Sequence, residues 1–223
     1  MEIISINIGK PVTVDYKGKE IETGIYKCQI KEPVYLNKLN FDGDGQADLV
    51  HHGGPDKAVC VYPYEHYSYW EKDLKKKLTL GAFGENLTVK GMLESDIHIG
   101  DIFSIGEAIV QVSQPRQPCF KLAKRYDLND FPIRFQNTGY TGYYFRVLKE
   151  GWVSPDSKIE LVESNSRKIT VQYANSIMHH DKKNKTAIEN ILRVRELSTN
   201  WKSTFNKRLD GMEEDTKARL EGQ

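Results

Sequence analysis

Lys158-Ile159-Glu160-Leu161-Val162-Glu163 is followed by Ser164-Asn165-Ser166 and, a little further on, by Val171-Gln172-Tyr173-Ala174-Asn175-Ser176-Ile177-Met178. Across these pieces the pattern changes from a short β-rich run to apolar residues at helical spacing, Val171, Ala174, Ile177 and Met178. Upstream, residues 3–8, 12–16, 25–30, 58–62, 86–89, 107–112, 142–148 and 158–163 are further β-rich runs broken by glycine, proline and asparagine, the pattern of a barrel or sandwich. Lys17-Gly18 reads as a hairpin turn, and Gly100-Asp101 and Gly106 mark others. Two stretches in this part read as helices: 64–78, opened by Pro63, and 120–125. Downstream, Ile188, Ile191, Leu192 and Arg195 repeat the helical spacing, as do Trp201, Phe205 and Leu209 behind a Ser198 cap. The expectation is a mainly β domain over 1–165 and a small three-helix bundle over 166–223, with a polar end from Gly211 that frays.

Composition narrows the function classes. With 32 basic and 31 acidic residues the net charge is +1, so no whole-molecule field grips nucleic acid or a membrane, and any charge-based function is local. The three cysteines show no CxxC spacing, which fits neither a disulfide framework nor a zinc site and suits a reducing compartment. Met1-Glu2-Ile3-Ile4-Ser5 lacks the basic start and apolar run of a signal peptide, and no stretch reaches the ~18 apolar residues of a membrane span. A cytoplasmic protein is expected.

The cysteines differ in setting. Cys28 and Cys60 lie in β-rich runs and read as core residues. Cys119 lies in Gln114-Pro115-Arg116-Gln117-Pro118-Cys119-Phe120-Lys121, where the two prolines deny the backbone a ladder or helix interior and imply a stiff loop. Arg116 and Lys121 flank it, and nearby cations favour the thiolate, the form that attacks electrophiles or ligates soft metals. Cys119 is thus a candidate ligand or nucleophile, with a buried loop cysteine as the alternative.

Other constellations are weighed in the same way. In His51-His52-Gly53-Gly54-Pro55-Asp56-Lys57 the glycine amides, Lys57 and His52 could converge on a phosphate, or the segment is a tight turn before a strand. Gly84-Glu85-Asn86 is a second, weaker candidate loop. Asp42-Gly43-Asp44 opens like a calcium loop, but its glycine is out of place and the twelfth position, where the loop wants glutamate, is Gly53, so that reading is rejected. His179-His180-Asp181 reads as a surface helix end, because adjacent helical residues point about 100° apart and chelate poorly. Lys182, Lys183, Lys185, Arg193, Arg195, Lys202, Lys207 and Arg208 form a basic face, read as solvated rather than DNA-binding. Tyr62, Tyr64, Tyr67, Tyr69 and Trp70 offer either a stacking surface or core packing.

Taken together, five motifs carry a resemblance: His52-Gly53-Gly54-Pro55-Asp56-Lys57; Phe83-Gly84-Glu85-Asn86-Leu87; Gly100-Asp101-Ile102-Phe103; Gln111-Val112-Ser113-Gln114-Pro115-Arg116 with Pro118-Cys119-Phe120-Lys121-Leu122; and Gln136-Asn137-Thr138-Gly139. Their order resembles that of MOSC-domain proteins, named for the C-terminal domain of molybdenum cofactor sulfurases. The chain is most similar to the YiiM-like branch, which also carries a three-helix C-terminal domain. The resemblance implies a MOSC-type β-barrel fold and binding of the molybdenum cofactor, a molybdenum ion held by the dithiolene of a phosphorylated pterin. It puts the metal-binding cysteine at Cys119. Arg116, Lys57, His52 and the Gly53 and Gly54 amides are the candidates for the pterin phosphate, Asn86 and Ser113 for the pterin edge, and Lys121 is a further cofactor-binding candidate.

The resemblance further implies reductive dehydroxylation of N-hydroxylated base analogues such as hydroxylaminopurine, N–OH to amine, with Cys119 at the metal; that chemistry needs a proton donor, for which Asp56, Glu85 and water are the candidates. The chain has no dinucleotide-binding GxGxxG and no iron–sulfur cysteine set, so a separate flavoprotein is the expected electron donor, docking on the basic bundle. The alternative is a carrier that holds the cofactor, or sulfur on Cys119, without turnover. A third reading places the function in the helical tail, as an adaptor or nucleic-acid-binding protein.

Overall fold

The structure, a computed structural model, describes residues 1–47, 53–212 and 214–222. The first strand, β1 (Glu2–Ile8), is followed by the hairpin β2 (Val12–Tyr16) and β3 (Lys19–Thr23). Lys17 and Gly18 both have positive φ, 54° and 76°, which matches the twist of the two strands they join. Then come β4 (Cys28–Ile30), β5 (Val34–Leu36), β6 (Val59–Pro63), helix α1 (Tyr67–Leu74), β7 (Leu87–Lys90), β8 (Ile102–Ile105) and β9 (Ala108–Pro115). Helices α2 (Lys121–Tyr126) and α3 (Phe131–Thr138) precede β10 (Tyr143–Lys149), β11 (Gly151–Val153) and β12 (Ile159–Glu163). Helices α4 (Val171–His179), α5 (Lys185–Leu192), α6 (Thr199–Leu209) and the short α7 (Lys217–Glu221) complete the chain.

Eight strands form one curled sheet in the order β12-β8-β9-β10-β6-β7-β1-β4, and β11-β5 and β2-β3 are separate pairs. The β6–β7 pairing is parallel, and its neighbours are antiparallel. The molecule is therefore mostly β with C-terminal helices, the class the sequence leads one to expect.

Strand alternation sorts the side chains into two interiors. Val59, Val61, Leu87, Val89, Tyr143, Phe145 and Val147 point into the main core with Ile6, Phe103 and Val110. Their alternates, Cys60, Tyr62 and Tyr144, lie on the opposite face, where Tyr144 pairs across the sheet with Cys60. Tyr62 there joins Tyr67, Trp70, Phe83, Phe131 and Phe135 in an aromatic core. Core packing, not a stacking surface, thus accounts for Tyr62, Tyr67 and Trp70, while Tyr64 and Tyr69 are exposed.

The bundle helices are capped as their sequences require. Thr170, Asn184 and Ser198 accept from the amides of Tyr173 (3.0 Å), Ala187 (3.0 Å) and Trp201 (3.3 Å). Their core of Ala174, Ile177, Met178, Ile188, Ile191, Trp201 and Phe205 takes in Ile99 from the β part. The junction is further tied by Ser198 N–H to the Ser113 carbonyl (3.0 Å) and by the Asp101 carboxylate, which accepts from the Asn165 amide (2.7 Å) and the Ser164 hydroxyl (3.0 Å).

Several expectations are corrected. The helix expected over 64–78 is a 3-10 turn, Tyr64–His66, plus α1, stopped by Lys75 in the left-handed region (φ 51°). Helix α3 was not foreseen, although Pro132 near its start and Gly139 (φ 74°) after its end are start and stop signals. Cys28 is exposed, because β4 is the edge strand of the sheet. His179 is buried at the end of α4 rather than on the surface; His180 beside it is exposed. Asp44, the carboxylate of the rejected calcium motif, accepts from the Gly9 amide (2.9 Å) and the Asn86 side chain (2.8 Å) and pairs with buried Lys27. No helix among the described residues is long and apolar enough to cross a membrane.

Candidate functional site

A bulge in β9 sets up the site. Tyr144 faces Gln114 but Phe145 faces Val112, so Ser113 is the extra residue, and past the bulge the strand stays paired with β10 through Gln114 and Pro115. The Arg116 amide donates to the Gly142 carbonyl (3.0 Å). Gly142 sits at φ 71° with the Val61 carbonyl against the place a Cβ would occupy, so no other residue fits there. Cys119 follows, buried, and its carbonyl accepts from the Leu122 amide (3.0 Å) as α2 begins. The loop is shorter than the two prolines imply: Pro115 ends β9 opposite Tyr143, which needs no N–H from it in that register, and only Pro118 lies in the connection to α2.

Two cavities meet at this cysteine. A narrow inner one, of about 70 Å³, is lined by Lys57, Cys60, Arg116, Cys119, Lys121 and Tyr144, together with Asn86 and Lys27. A larger outer one, of about 440 Å³, shares Lys57, Cys119 and Tyr144 and adds Gln114, Gln117 and Arg219. Lys57, Arg116 and Lys121 are all buried. Three buried cationic side chains thus lie around one thiol, where charge acts through less solvent than on an open surface.

Arg116 is the most constrained of them. One guanidinium nitrogen, Nη2, donates to the Phe83 carbonyl (2.6 Å), and the ring of Phe135 lies 5.8 Å away. Its Nη1 is buried with no hydrogen-bond partner among the described residues. Burial opposes its charge, but Cys60, Tyr144, Cys119 and Glu85 outweigh burial and hold its pKa above the ordinary value. The Gln114 side-chain oxygen is likewise buried with no hydrogen-bond partner among the described residues. Burial pushes the Tyr144 phenol well up, with Cys60 adding to it, and burial also raises the Cys60 thiol.

The other expected site residues are placed differently. Glu85 lines neither cavity; its carboxylate is fully buried and accepts from the Tyr67 hydroxyl, the Phe83 amide (2.9 Å) and the Thr88 hydroxyl (3.0 Å). Asp56 also lies outside both cavities, paired with Arg146 (2.7 Å) and accepting from the Thr199 amide (3.1 Å) at the start of α6. Both carboxylates are thus spent on structure. The Ser113 hydroxyl lies between the carbonyls of Asp56 (2.5 Å) and Tyr144 (3.1 Å), away from either cavity. Asn86 lines the inner cavity, but its carbonyl oxygen accepts from the Cys60 amide (3.1 Å) and its amide donates to Asp44. Gly53 and Gly54 line neither cavity, Gly54 instead opening the turn Pro55–Lys57 that carries Lys57 inward. His51 and His52 lie outside the described residues.

Sequence reasoning missed Tyr144 and Cys60 as site residues. Period-2 alternation puts each opposite the core-facing residues of its strand, and that signal was available. It also missed Arg219, whose place no local pattern discloses. The donor set fits the cofactor that the sequence resemblance implies: a soft thiol for the metal, buried cations for anionic groups, and a buried N–H of Arg116 lacking an acceptor.

Comparison with known proteins identifies the family. Residues 48–160 match the MOSC domain, and residues 169–211 match the YiiM-like 3-alpha helix domain. The uncharacterized protein YflK of Bacillus subtilis is 56% identical over 208 residues, 93% of this chain and 94% of that protein. The crystal structure of YiiM from Geobacillus stearothermophilus superposes with a TM-score of 0.81 at 42% identity, covering 93% of this chain and 98% of that one. A protein of Gibberella moniliformis named reductase is 37% identical over 150 residues, 66% of this chain but 27% of its own length. Domain matches covering both parts of the chain and a fold shared nearly end to end lead to one assignment: this chain belongs to the MOSC-domain family, in its YiiM-like branch.

Proposed function

We propose that this protein is a molybdenum cofactor-dependent reductase of N-hydroxylated nucleobases and related compounds, acting at the junction of the two cavities. The observation that carries the reading is Cys119, shared by a cation-lined inner cavity and an outer one large enough for a purine-sized molecule. The fungal relative named reductase supports the reaction class.

In this reading the Cys119 sulfur is the metal ligand, and Arg116, Lys57 and Lys121 hold the anionic groups of the pterin cofactor. The cofactor, when bound, supplies a two-electron redox centre with affinity for oxygen. The reaction is R–NHOH + 2 e⁻ + 2 H⁺ → R–NH2 + H2O: the N–O bond breaks, nitrogen is reduced, and the oxygen leaves as water. The electrons come from a separate flavoprotein, docking on the basic helical face, and are consumed in a cytoplasmic detoxification. Neither Asp56 nor Glu85 is placed to deliver a proton, since each is bound elsewhere. Tyr144, which lines both cavities and keeps its proton, is the group that hydrogen-bonds the hydroxyl of the substrate, with the protons drawn through the outer cavity. Gln114 and Gln117 offer amide donors and acceptors for the edge of a base.

The test is turnover of 6-N-hydroxylaminopurine to adenine by cofactor-loaded protein with reduced viologen as electron source. Adenine formation that a Cys119→Ser variant lacks is the expected result. Loaded protein that reduces neither hydroxylaminopurine nor any other N-hydroxylated base to its amine would remove the reductase reading and leave a carrier.

A further inference from the structure

The outer cavity owes one of its walls to the last residues of the chain. Thr216, Ala218 and Arg219, with Glu214 and Asp215, line it opposite Gln114 and Gln117. The YiiM-like helical match ends at residue 211, so this wall lies beyond the part of the chain that the match covers. It is nevertheless bonded to the loop that carries Cys119. The Phe120 amide donates to the Arg219 carbonyl (2.8 Å), and the Arg219 guanidinium donates to the Pro118 carbonyl (2.5 Å) and to the Gln136 side-chain oxygen (2.9 Å). The residues on either side of Cys119 are therefore both held by Arg219. Beyond it, Lys17 donates to the Glu221 carbonyl (3.0 Å), and Gly222, at φ 73°, packs so close to Phe120 and Tyr16 that a Cβ would crowd both rings.

These two side-chain contacts use part of a guanidinium with five N–H donors. The charge itself is half-buried beside the outer cavity, where a charge acts through less solvent than on an open surface. We infer that Arg219 is a positioning residue of the Cys119 site: it clamps the loop on both sides of the thiol and sets a positive charge against the Glu214 and Asp215 carboxylates of the same wall, so that removing it makes the outer cavity less favourable to anions. The inference rests on Cys119 being the working thiol, and it requires no cofactor, electron donor or turnover.

The test is alkylation of Cys119 in the full chain purified from a host that does not make the pterin, followed by peptide mass spectrometry to separate it from Cys28 and Cys60. Iodoacetate and iodoacetamide attack the same thiol at the same pH, so the ratio of their rates cancels its ionisation and reads the field at the site. Arg219→Gln is expected to lower the iodoacetate-to-iodoacetamide ratio roughly threefold or more, while Arg219→Lys keeps most of it. A chain ended after Gly211 is expected to raise the iodoacetamide rate several-fold, because a wall is gone. Should Arg219→Gln fail to fold, the truncated chain and Arg219→Lys carry the test. An unchanged ratio in folded Arg219→Gln, or an unchanged iodoacetamide rate in the truncated chain, would overturn the inference. Failure of the reductase assay alone would leave it standing.

Discussion

Glu85 was a candidate proton donor by its motif and is a structural carboxylate by its bonds. Three donors converge on it, from Tyr67, Phe83 and Thr88, in a site from which solvent is excluded. Replacing it with glutamine sets an amide N–H against one of those donors, which costs about 1–3 kcal/mol. Denaturant unfolding of Glu85→Gln measures that loss directly; a variant as stable as the parent would return Glu85 to the list of chemical groups. Tyr144→Phe has the opposite expected profile. It removes one hydroxyl at the junction of the cavities, so kcat for hydroxylaminopurine reduction falls tenfold or more while the metal content holds. At this scale the sequence disclosed residue type better than residue direction. Arg116, Lys57, Lys121 and Cys119 were named from chemistry and line one cavity, whereas Asp56, Glu85 and Ser113 had the right chemistry and face elsewhere.

At the level of elements, alternation in β6 and β10 and one bulge in β9 decide which side chains reach the cavity. Strand periods were legible in the sequence; the bulge was not, because a single extra residue leaves the local pattern intact while shifting the partner. Helix α3 was overlooked because its Pro132 and Gly139 are equally at home in loops. The ends of α4 and α6 carry predictions of their own. Burial, with Arg219, Arg208, His180 and Lys182 adding to it, lowers the pKa of His179 from the usual 6.5 to about 2. Its folded form is neutral while the unfolded chain takes up a proton below 6.5, so its contribution to stability is full above that pH and is lost as pH falls towards 2. Between pH 7 and pH 5 the loss is about 2 kcal/mol. In His179→Gln, the drop in unfolding free energy over that interval is expected to be smaller by this amount; an equal drop would contradict it. At the start of α6, Asp56→Asn weakens the pair with Arg146 and the contact with the Thr199 amide. The carboxylate is 29% exposed, so the expected cost is about 0.5–1 kcal/mol in thermal or denaturant unfolding.

Across the whole molecule, the curled sheet holds the Cys119 loop at one end and the helical bundle docks against the same strand, β9, through Ser113 and Ser198. The change of period after Ser164 made these two parts readable in the sequence. Contacts between residues far apart in the chain, such as Arg219 with Pro118 or Asp56 with Thr199, leave no periodic trace and could be found only in the structure. With a net charge of +1 the molecule has no general attraction for anions, so a positive enclosure at Cys119 is a local construction of Lys57, Arg116 and Lys121. On the reading proposed above, this enclosure anchors a molybdenum–pterin group through one sulfur. The most direct measurement is molybdenum and pterin content of the protein purified anaerobically from a cofactor-producing host, beside Cys119→Ser prepared identically. Near-stoichiometric metal and pterin in the parent, with the metal lost in the variant, is the predicted result. Neither group in the parent after reconstitution, or equal metal in both proteins, would contradict it.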